Sequence, residues 1–219
     1  LAWDSATTFS HAYEEAVAGE EIHFAAGTYT PSTILEGANA AEPKNKTFFI
    51  GKNITLVGGY SANPSKGETA DPATNATIFS GKLSDDVNAY HVMVFGAPVE
   101  EGKATVVKGI RIQDGNAVGC PNTTVNGIAV SGNNGGGFLV QGNTNVTVED
   151  CVISGNKGNN GGAVYSNQNK AGSLTLRRCT FSDNAALSGN AGAVFNDKSR
   201  LFIYDCSFVG NKCTGHGGA

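Results

Sequence analysis

The stretch VTVEDCVISGN at residues 146–156 decides the fold, because the chain repeats it twice more. The copies are LTLRRCTFSDN at residues 174–184 and LFIYDCSFVGN at residues 201–211. The cysteines of the three copies lie 28 and 27 residues apart, and the asparagines that end the copies keep the same spacing. A fixed period of this length, built on strand-like alternation, is typical of a chain that coils into a solenoid.

A run of small residues follows each copy. The runs are GGAV at residues 161–164, AGAV at 191–194 and GGA at 217–219, and GGGF at 135–138 precedes the first copy. In the turn before the first copy, Ile110 and Ile112 take the places of Cys151 and Ile153. The regular repeat therefore begins near residue 109 and is interrupted by an insertion at 116–132.

Alternation within each copy predicts which side chains face the interior. Val146 and Val148 would point to one side of the strand and their neighbours to the other. Asparagine tolerates left-handed backbone angles and can bond to its own backbone, so Asn156 and its equivalents indicate a turn. Stacked on successive turns, these asparagines are expected to bond to one another as a ladder. Such turns, stacked about 4.8 Å apart, predict an all-β, single-stranded parallel β-helix of about eight turns, fewer if long loops are discounted.

The first half of the chain is less regular. Residues 7–18 are predicted to form a short helix that caps the open end of the strand stack and stops at Gly19. The residues on its packed face are Phe9, Tyr13, Ala16 and Val17. The strand candidates lie at 22–29, 47–50, 54–57, 76–79, 91–95 and 105–112. Segments 31–46 and 60–75, rich in Pro, Asn, Gly and Ala, are predicted to loop out of the coil.

We expect residues 1–219 to form one β-helix domain. Residues 1–20 would be the cap, 21–112 the irregular first turns with long loops, and 113–219 the regular repeats. The chain stops inside the third small-residue run without the terminal cap that a solenoid needs, which predicts the N-terminal part of a longer protein. It starts without an initiator Met or leader, so we expect any signal peptide to have been removed.

Composition excludes several classes of protein. The net charge of −4 gives no basic face for nucleic acid, so no nucleic-acid partner is predicted. No apolar run approaches the roughly 18 residues of a membrane span, so no spanning segment is predicted. Of the five cysteines, Cys151, Cys179 and Cys206 occupy one repeat position and are interpreted as buried core fillers. Cys120 and Cys213 lie outside this row, and the sequence leaves open whether they pair.

Two short patterns resemble a known family. FSDN at 181–184 and FVGN at 208–211 fit F-x-x-N, with ISGN at 153–156 as a variant, and GGAV at 161–164 and GGA at 217–219 fit G-G-A-[ILV]. Together they resemble the repeats of the chlamydial polymorphic outer membrane proteins and of related β-helix surface proteins from other bacteria, including Bacteroidetes. Residues 18–29 and 54–60 are similar to the opening turns of many secreted pectin-lyase-like β-helices.

The resemblance covers about residues 135–219 for the repeats and 1–112 for the opening turns. It implies a right-handed, pectin-lyase-like β-helix that is secreted or lies at the cell surface, associated with the bacterial outer membrane. The family combines adhesins, autotransporter passengers and proteins of unknown role. It therefore implies the fold more specifically than the function.

The same fold class hosts polysaccharide lyases and hydrolases. A lyase of this shape resembles a calcium-assisted enzyme, in which acidic ligands hold the ion and Lys or Arg acts as the base. Asp150, Arg178 and Asp205 share one repeat position, which favours a charge ladder between neighbouring strands over an active site. No pair of carboxylates on neighbouring turns indicates a hydrolase. The candidate carboxylates are Glu149, Asp150, Asp183 and Asp205, and the candidate bases are Arg177 and Arg178.

The histidines give no metal pattern. They fall in unrelated segments, without a second ligand at helix spacing, so each is interpreted as a surface or strand residue. They are His11, His23, His91 and His216. No catalytic residue, metal site or cofactor is therefore predicted.

Two functional hypotheses remain. The main one is a non-enzymatic secreted or cell-surface protein, an adhesin or scaffold that binds host glycans or proteins through the insertions at 31–46, 60–75 and 116–132. The alternative is a polysaccharide lyase or glycoside hydrolase acting on an acidic polysaccharide, which rests on fold analogy alone. A lyase should show a groove where carboxylates and a Lys or Arg converge, whereas a scaffold should show rows of Ser, Thr and Asn.

Overall fold

Parallel strands from successive turns of the chain stack into sheets that run along one axis. The computed structural model describes residues 8–125, 127–141, 144–167 and 172–219. In each circuit, the chain contributes one strand to the first sheet, then one to the second and one to the third. The strands of the next circuit pair in parallel with those of the circuit before. We call each circuit a rung. This arrangement is the parallel β-helix that the repeat predicts.

The bounds of the elements are as follows. The first sheet comprises Glu21–Ala25, Thr55–Tyr60, Thr105–Lys108, Asn145–Glu149, Ser173–Arg177 and Arg200–Tyr204. The second comprises Gly27–Tyr29, Thr77–Ser80, Ile110–Gln113, Val152–Ser154, Thr180–Ser182 and Ser207–Val209. The third comprises Lys46–Ile50, Met93–Phe95, Phe138–Gln141, Val164–Asn167 and Val194–Asp197, with Thr33–Ile34 antiparallel at its edge. A short sheet holds Lys157–Gly158, Ala185–Ala186 and Lys212–Cys213, and Thr123–Val125 pairs with Ile128–Val130 as a hairpin. The helices are the α-helix Phe9–Glu15 and the 3₁₀ turn Pro43–Asn45.

The coil is shorter than its length in residues suggests. The first sheet contains six strands in the described part of the chain, which is fewer than eight turns, as we expected once the long loops are discounted. The insertions at 31–46, 60–75 and 116–132 account for the difference, because they add residues without adding a rung.

The interior of the coil is apolar because alternation sends every second side chain of a strand inward. Val146 pairs with Leu174, which pairs in turn with Leu201 on the next rung. Phe181 and Phe208 stack with ring centroids 4.9 Å apart and planes 7° apart. A fully buried side chain of this size contributes roughly 1.5–3 kcal/mol through removal from water. Like side chains at equal repeat positions thus build continuous interior columns.

The chain turns from the first sheet to the second at one residue in the left-handed region. This residue breaks the predicted strand at 105–112 into two, at Gly109. Later rungs have non-glycine residues at the same position. Their positive φ angles are uncommon for residues that carry a Cβ. Their φ angles are 53° at Asp150, 48° at Arg178 and 52° at Asp205.

The predicted asparagine ladder is confirmed, with one correction. Asn156 donates from its side chain to Asn184 Oδ1 at 3.1 Å, and Asn184 donates to Asn211 Oδ1 at 2.9 Å. The left-handed residue is the one before each asparagine, as at Asp183 with φ 55°, and not the asparagine as we predicted. Asparagine is required at this position for the hydrogen bonds of its side-chain amide and not for its backbone angles. Asn184 Oδ1, for example, also accepts the Asn156 backbone N–H at 3.0 Å.

The small-residue runs form the corner before the third sheet, where rungs approach closely. A Cβ on Gly162 would lie 2.5 Å from backbone atoms of Ala185, so only glycine fits there. Ala163 follows it and points into the core, where it is fully buried.

A second asparagine ladder, which the sequence analysis did not predict, lies just before these runs. Asn160 donates from its backbone and side chain to Asn134 Oδ1 at 3.0 Å, and the backbone N–H of Asn190 donates to Asn160 Oδ1 at 2.9 Å.

The N-terminal helix caps the aromatic end of the core. Phe9 packs edge-on against Phe48 and Phe79, with ring centroids 4.8 and 5.9 Å away. The helix ends at Glu15 rather than at 18, and Lys52 Nζ donates to the backbone carbonyls near this end. Val17, which we predicted on the packed face, is 62% exposed because it lies beyond the helix. The cap is confirmed, and that detail of its packed face was wrong.

The cysteines are all free thiols. Cys151 and Cys179 are buried and Cys206 is half-buried, which confirms that the repeated cysteines fill the core. Cys120 and Cys213 do not pair with each other, since Cys120 is a buried residue of the insertion at 116–132 and Cys213 lies in the short sheet.

Candidate functional site

Two of the three predicted contact segments come together on the outward face of the third sheet. Leu35 from segment 31–46 and Val125 from segment 116–132 join one apolar cluster on this face. Both side chains are buried, at 8% and 2% exposure. These insertions therefore pack against the coil as ordered elements, and we call them the paired insertions.

The cluster under the paired insertions is a row of outward apolar side chains, one from each rung. The strand registers align Phe49 with Val94, Val94 with Leu139, Leu139 with Tyr165, and Tyr165 with Phe195. Tyr165 and Phe195 stack with centroids 5.6 Å apart. Outward apolar residues are costly unless covered, so this row explains why the insertions fold back onto the sheet.

A small pocket, partly open to solvent, lies between the paired insertions. Its enclosed part has room for about one water molecule. Residues from 31–46, from 116–132 and from the start of the third sheet surround it. They are Leu35, Ala38, Lys44, Asn45, Lys46, Thr47, Tyr90, His91, Cys120 and Thr123.

His91 lines this pocket, and a hydrogen bond to the backbone holds its ring in place. Its Nδ1 is 2.9 Å from the carbonyl oxygen of Gly135, which can only accept, so Nδ1 carries the proton. Its Nε2 is 3.8 Å from Cys120 Sγ. Burial lowers the pKa of His91 from its ordinary value of 6.5 to about 4, so the imidazole is neutral at physiological pH.

Cys120 and Thr123 complete the polar lining. Burial raises the pKa of the Cys120 thiol to about 12, because the charged thiolate would lose its hydration there. The Oγ1 atom of Thr123 is buried and has no hydrogen-bond partner. The pocket therefore holds a thiol, an imidazole and a hydroxyl with little competing solvent.

Sequence reasoning missed the meeting of His91 with Cys120. We interpreted His91 as a surface or strand residue, but it is 4% exposed and the strand predicted at 91–95 begins at Met93. Cys120 reaches it only because the insertion folds back over the third sheet. The spacing of 29 residues belongs to no metal motif, so no pattern in the sequence would have shown the contact.

The rim of the paired insertions is polar and exposed. It presents a carboxylate, amides, a hydroxyl and proline rings to solvent, which suits hydrogen bonding to a polar ligand. The exposed residues include Glu36, Asn39, Pro43, Pro121, Asn122 and Thr124.

The third predicted contact segment, 60–75, lies elsewhere. Pro72 packs against Gly59 and Gly109 at the corner between the first and second sheets. Glu68 holds the segment together by accepting from the Ser61 backbone N–H at 2.6 Å and from the Ser65 backbone N–H at 3.2 Å. These bonds lower the pKa of the Glu68 carboxyl. This segment is braced internally and does not share a surface with the paired insertions.

The residues considered for a lyase lie at two different corners. Arg178 pairs with Asp150 at 2.7 Å and with Glu149 at 3.2 Å, and hydrogen bonds from Arg178 lower the pKa of Asp150. Arg177 stacks on Tyr204 at 4.8 Å. The ladder is thus formed in part, because the ion pairs of the described residues join Asp150 to Arg178 but do not include Asp205. Asp183 lies at the corner beyond the second sheet, in the turn before Asn184.

Metal ligands do not cluster in threes anywhere in the described ranges. No group of three or more His, Cys, Asp or Glu side chains is close enough there to hold an ion. The other described histidines are dispersed: His23 stacks on Tyr60 at 4.5 Å, and His11 and His216 are exposed.

Comparison with known proteins agrees with this geometry. A family model described as "Right handed beta helix region" matches residues 61–212. The chain is also similar to "Probable autotransporter YfaL" of Escherichia coli (strain K12), with 34% identity over 95 residues. That match covers 42% of this chain and 7% of the length of the relative. No solved structure matches.

The family match confirms the right-handed parallel β-helix predicted from the sequence. Within the described residues, the helices are also too short or too polar to cross a lipid bilayer.

Proposed function

Because the chain belongs to the right-handed β-helix family, we propose that it is a secreted or cell-surface binding scaffold, an adhesin for host glycans or proteins. The observation that carries this proposal is the packing of segments 31–46 and 116–132 side by side on one face of the coil. Insertions held by a rigid repeat scaffold commonly carry binding residues, since the scaffold limits the entropy lost on binding. The ligand would bind the exposed polar rim of the paired insertions.

The similarity to a probable autotransporter supports export to the bacterial cell surface. The F-x-x-N and G-G-A-[ILV] patterns, which resemble the chlamydial polymorphic outer membrane proteins, support the same location. Antibodies against the purified protein should label intact cells, and protease added outside the cells should remove the label. Labelling only after lysis would contradict a surface location.

We also propose that residues 1–219 act as one domain, with 1–20 as its cap, 21–112 as its irregular turns and 113–219 as its repeats. The support is that the first and second sheets each take strands from both the irregular and the regular part. A single cooperative unfolding transition is the expected result, whereas two separate transitions would divide the chain.

Binding is tested with labelled protein on a panel of glycans and extracellular matrix proteins. Glu36→Lys and Thr124→Lys change exposed rim residues on the two paired insertions. We expect each to weaken binding at least tenfold. Lys66→Glu, an equally exposed change in segment 60–75, is the matched control and should bind as the wild type does. Failure to bind anything on the panel, or loss with Lys66→Glu alone, would count against the proposal.

The lyase alternative has less support from the geometry. Calcium needs several free oxygen ligands, but Glu149 and Asp150 are both bound by Arg178. An ion there would have to displace that guanidinium. An absorbance screen for unsaturated uronate products, with and without calcium, tests the alternative directly. Product formed by wild type and lost in Arg178→Ala would replace the scaffold proposal with an enzymatic one.

A further inference from the structure

His91 and Cys120 form a pair of soft ligands inside the pocket of the paired insertions. Their Nε2 and Sγ atoms are 3.8 Å apart, and both residues are almost fully buried. A thiol beside an imidazole can form a weak hydrogen bond, or the two groups can share a metal ion once the thiol has lost its proton. Three features of the pocket favour the second use.

The first feature is the orientation of the imidazole. Nδ1 of His91 donates to the Gly135 carbonyl at 2.9 Å, which leaves the lone pair of Nε2 facing Cys120. Histidines that bind metals almost always donate their other N–H to a carboxylate or a backbone carbonyl, because this bond fixes the ring and its tautomer. His91 has this arrangement already.

The second feature is the spacing. Metal bonds to thiolate and imidazole are typically about 2.3 and about 2.0 Å long, and together they span about 4.3 Å. Across atoms that are 3.8 Å apart these two bonds meet at an angle of about 125°, so an ion fits about 1 Å off the line that joins them and keeps a third position open. The pocket that these side chains line has room for about one water molecule, which can take that position.

The third feature is Thr123, whose buried Oγ1 has no hydrogen-bond partner and lines the same pocket. Buried hydroxyls are nearly always partnered, so an exception calls for an explanation such as a bound water or ion. A water molecule held by an ion in this pocket would give Thr123 a partner.

The charge around the pocket decides which ion suits it. Lys44 and Lys46 line the pocket, and a divalent ion held by one thiolate would leave a net positive charge beside them. Such a charge is costly away from water. A monovalent ion held by one thiolate is neutral overall, and thiolate ligands favour copper(I) among biological metals.

We propose that Cys120 Sγ and His91 Nε2 form a binding site for copper(I). Binding forms one Cu–S bond and one Cu–N bond and releases the thiol proton to solvent. The site is independent of the proposed ligand binding, which uses the exposed rim and not this pocket.

The test is a titration of copper(I), kept reduced with ascorbate, in competition with the chromophoric chelator bicinchoninate. The protein carries Cys206→Ser and Cys213→Ser, which remove the two more exposed thiols. We expect this protein to bind one equivalent of copper(I). Adding Cys120→Ser should weaken that binding at least tenfold while the circular dichroism spectrum stays unchanged.

X-ray absorption of the copper-loaded protein distinguishes this site from the cysteine row inside the coil. One sulfur and one imidazole nitrogen around copper are expected. A shell of sulfur alone would place the ion on Cys151 and Cys179 and overturn the proposal. So would copper binding of equal strength with and without Cys120→Ser. If Cys120→Ser does not fold, the absorption spectrum of the parent protein decides.

Discussion

Asn184 shows how much a single side chain supports in a coil of this kind. Its Oδ1 accepts both the backbone and the side-chain N–H of Asn156, and its Nδ2 donates to the Ile153 carbonyl and to Asn211. It is fully buried, so water cannot replace these partners. The residue joins three rungs through one amide.

Asn184→Ala should therefore lower the free energy of unfolding by about 3 kcal/mol, since it leaves the buried backbone N–H of Asn156 without an acceptor and removes one acceptor of its side-chain amide. Urea unfolding measures this. Asn196→Ala, at an exposed asparagine on the third sheet, should change stability by less than about 0.5 kcal/mol. Equal effects of the two variants would show that the ladder contributes no more than a surface amide.

Buried His91 predicts a pH dependence of stability in protein kept metal-free with a chelator. Its pKa is lowered from 6.5 to about 4 by burial, so the unfolded chain binds more protons than the native one between these values. The stabilisation is complete above pH 6.5 and is lost as the pH falls toward 4. From pH 7 to pH 5 we expect a loss of about 2 kcal/mol from this group.

Urea unfolding at the two pH values gives the comparison. His91→Gln should flatten the dependence, whereas His11→Gln, at an exposed histidine, should leave it as in wild type. An unchanged slope in His91→Gln would assign the pH dependence to other groups.

At the scale of elements, packing of one aromatic side chain stabilises the N-terminal helix more than the hydrogen bonds within the helix do. A seven-residue helix is too short to be stable alone. Phe9 packs on Phe24, Phe48 and Phe79 at the end of the core. The cap is therefore a packing element, and its helical form depends on that contact.

Phe9→Ala should cost about 3–4 kcal/mol, because it removes a buried ring and leaves a cavity at the end of the core. Thermal and urea unfolding measure the loss. Val17→Ala changes an exposed apolar residue just after the helix and should cost less than about 0.5 kcal/mol. A small effect of Phe9→Ala would mean that the cap contributes little to the stability of the first rung.

The corner between the first and second sheets carries charges that alternate from rung to rung. Like charges directly opposite on neighbouring strands are destabilising, so this order favours the native stacking over a shift by one rung. The residues are Lys108, then Glu149 and Asp150, then Arg177 and Arg178, then Asp205.

Reversing one charge tests this order. Arg178→Asp should lower the melting temperature at low salt by bringing acidic groups together, and adding Asp150→Arg should restore part of the loss. High salt should reduce both differences, because the groups are about half exposed and readily screened. Lys66→Asp, at an exposed lysine outside the corner, is the control. A loss that is insensitive to salt would indicate backbone strain at this left-handed position instead.

For the whole molecule, the coil should respond locally to damage. Each rung pairs only with the rungs before and after it, so a defect is felt mainly by its neighbours. In Asn184→Ala, amide hydrogen exchange should rise most in Asn145–Glu149, Ser173–Arg177 and Arg200–Tyr204. Exchange in Glu21–Ala25 should rise least. A uniform increase would show that amides in every rung exchange only through global unfolding of the domain and not through local opening.

The sequence predicted the regular half of the molecule well, because there each local pattern agrees with the global packing. The alternation at Val146 and the amide at Asn156 have the positions expected of them. The sequence showed that a small residue recurs at Gly162, but the reason is that the backbone of the next rung approaches it closely. A repeat allows long-range contacts to be predicted from the sequence, because equal positions of successive copies stack on one another.

The irregular half could not be read in this way. Cys120 meets His91 only because Val125 and Leu35 cover an outward apolar row that no single strand reveals. That row combines one residue from each of five rungs, so it appears only after the register is known. The candidate site depends on such non-local packing. The sequence therefore predicted the two insertions but not that they pack side by side.

The two asparagine ladders point in opposite directions along the axis. In the ladder through Asn156 and Asn184, each backbone N–H donates to a side chain of the following rung, whereas in the ladder through Asn160 and Asn190 each backbone N–H donates to a side chain of the preceding one. A single ladder would sum its amide dipoles into a field along the coil, as the peptide groups of an α-helix do. Because the backbone N–H bonds of the two ladders run in opposite directions, their contributions to such a field oppose each other. The coil can therefore grow by further rungs without accumulating opposite partial charges at its two ends.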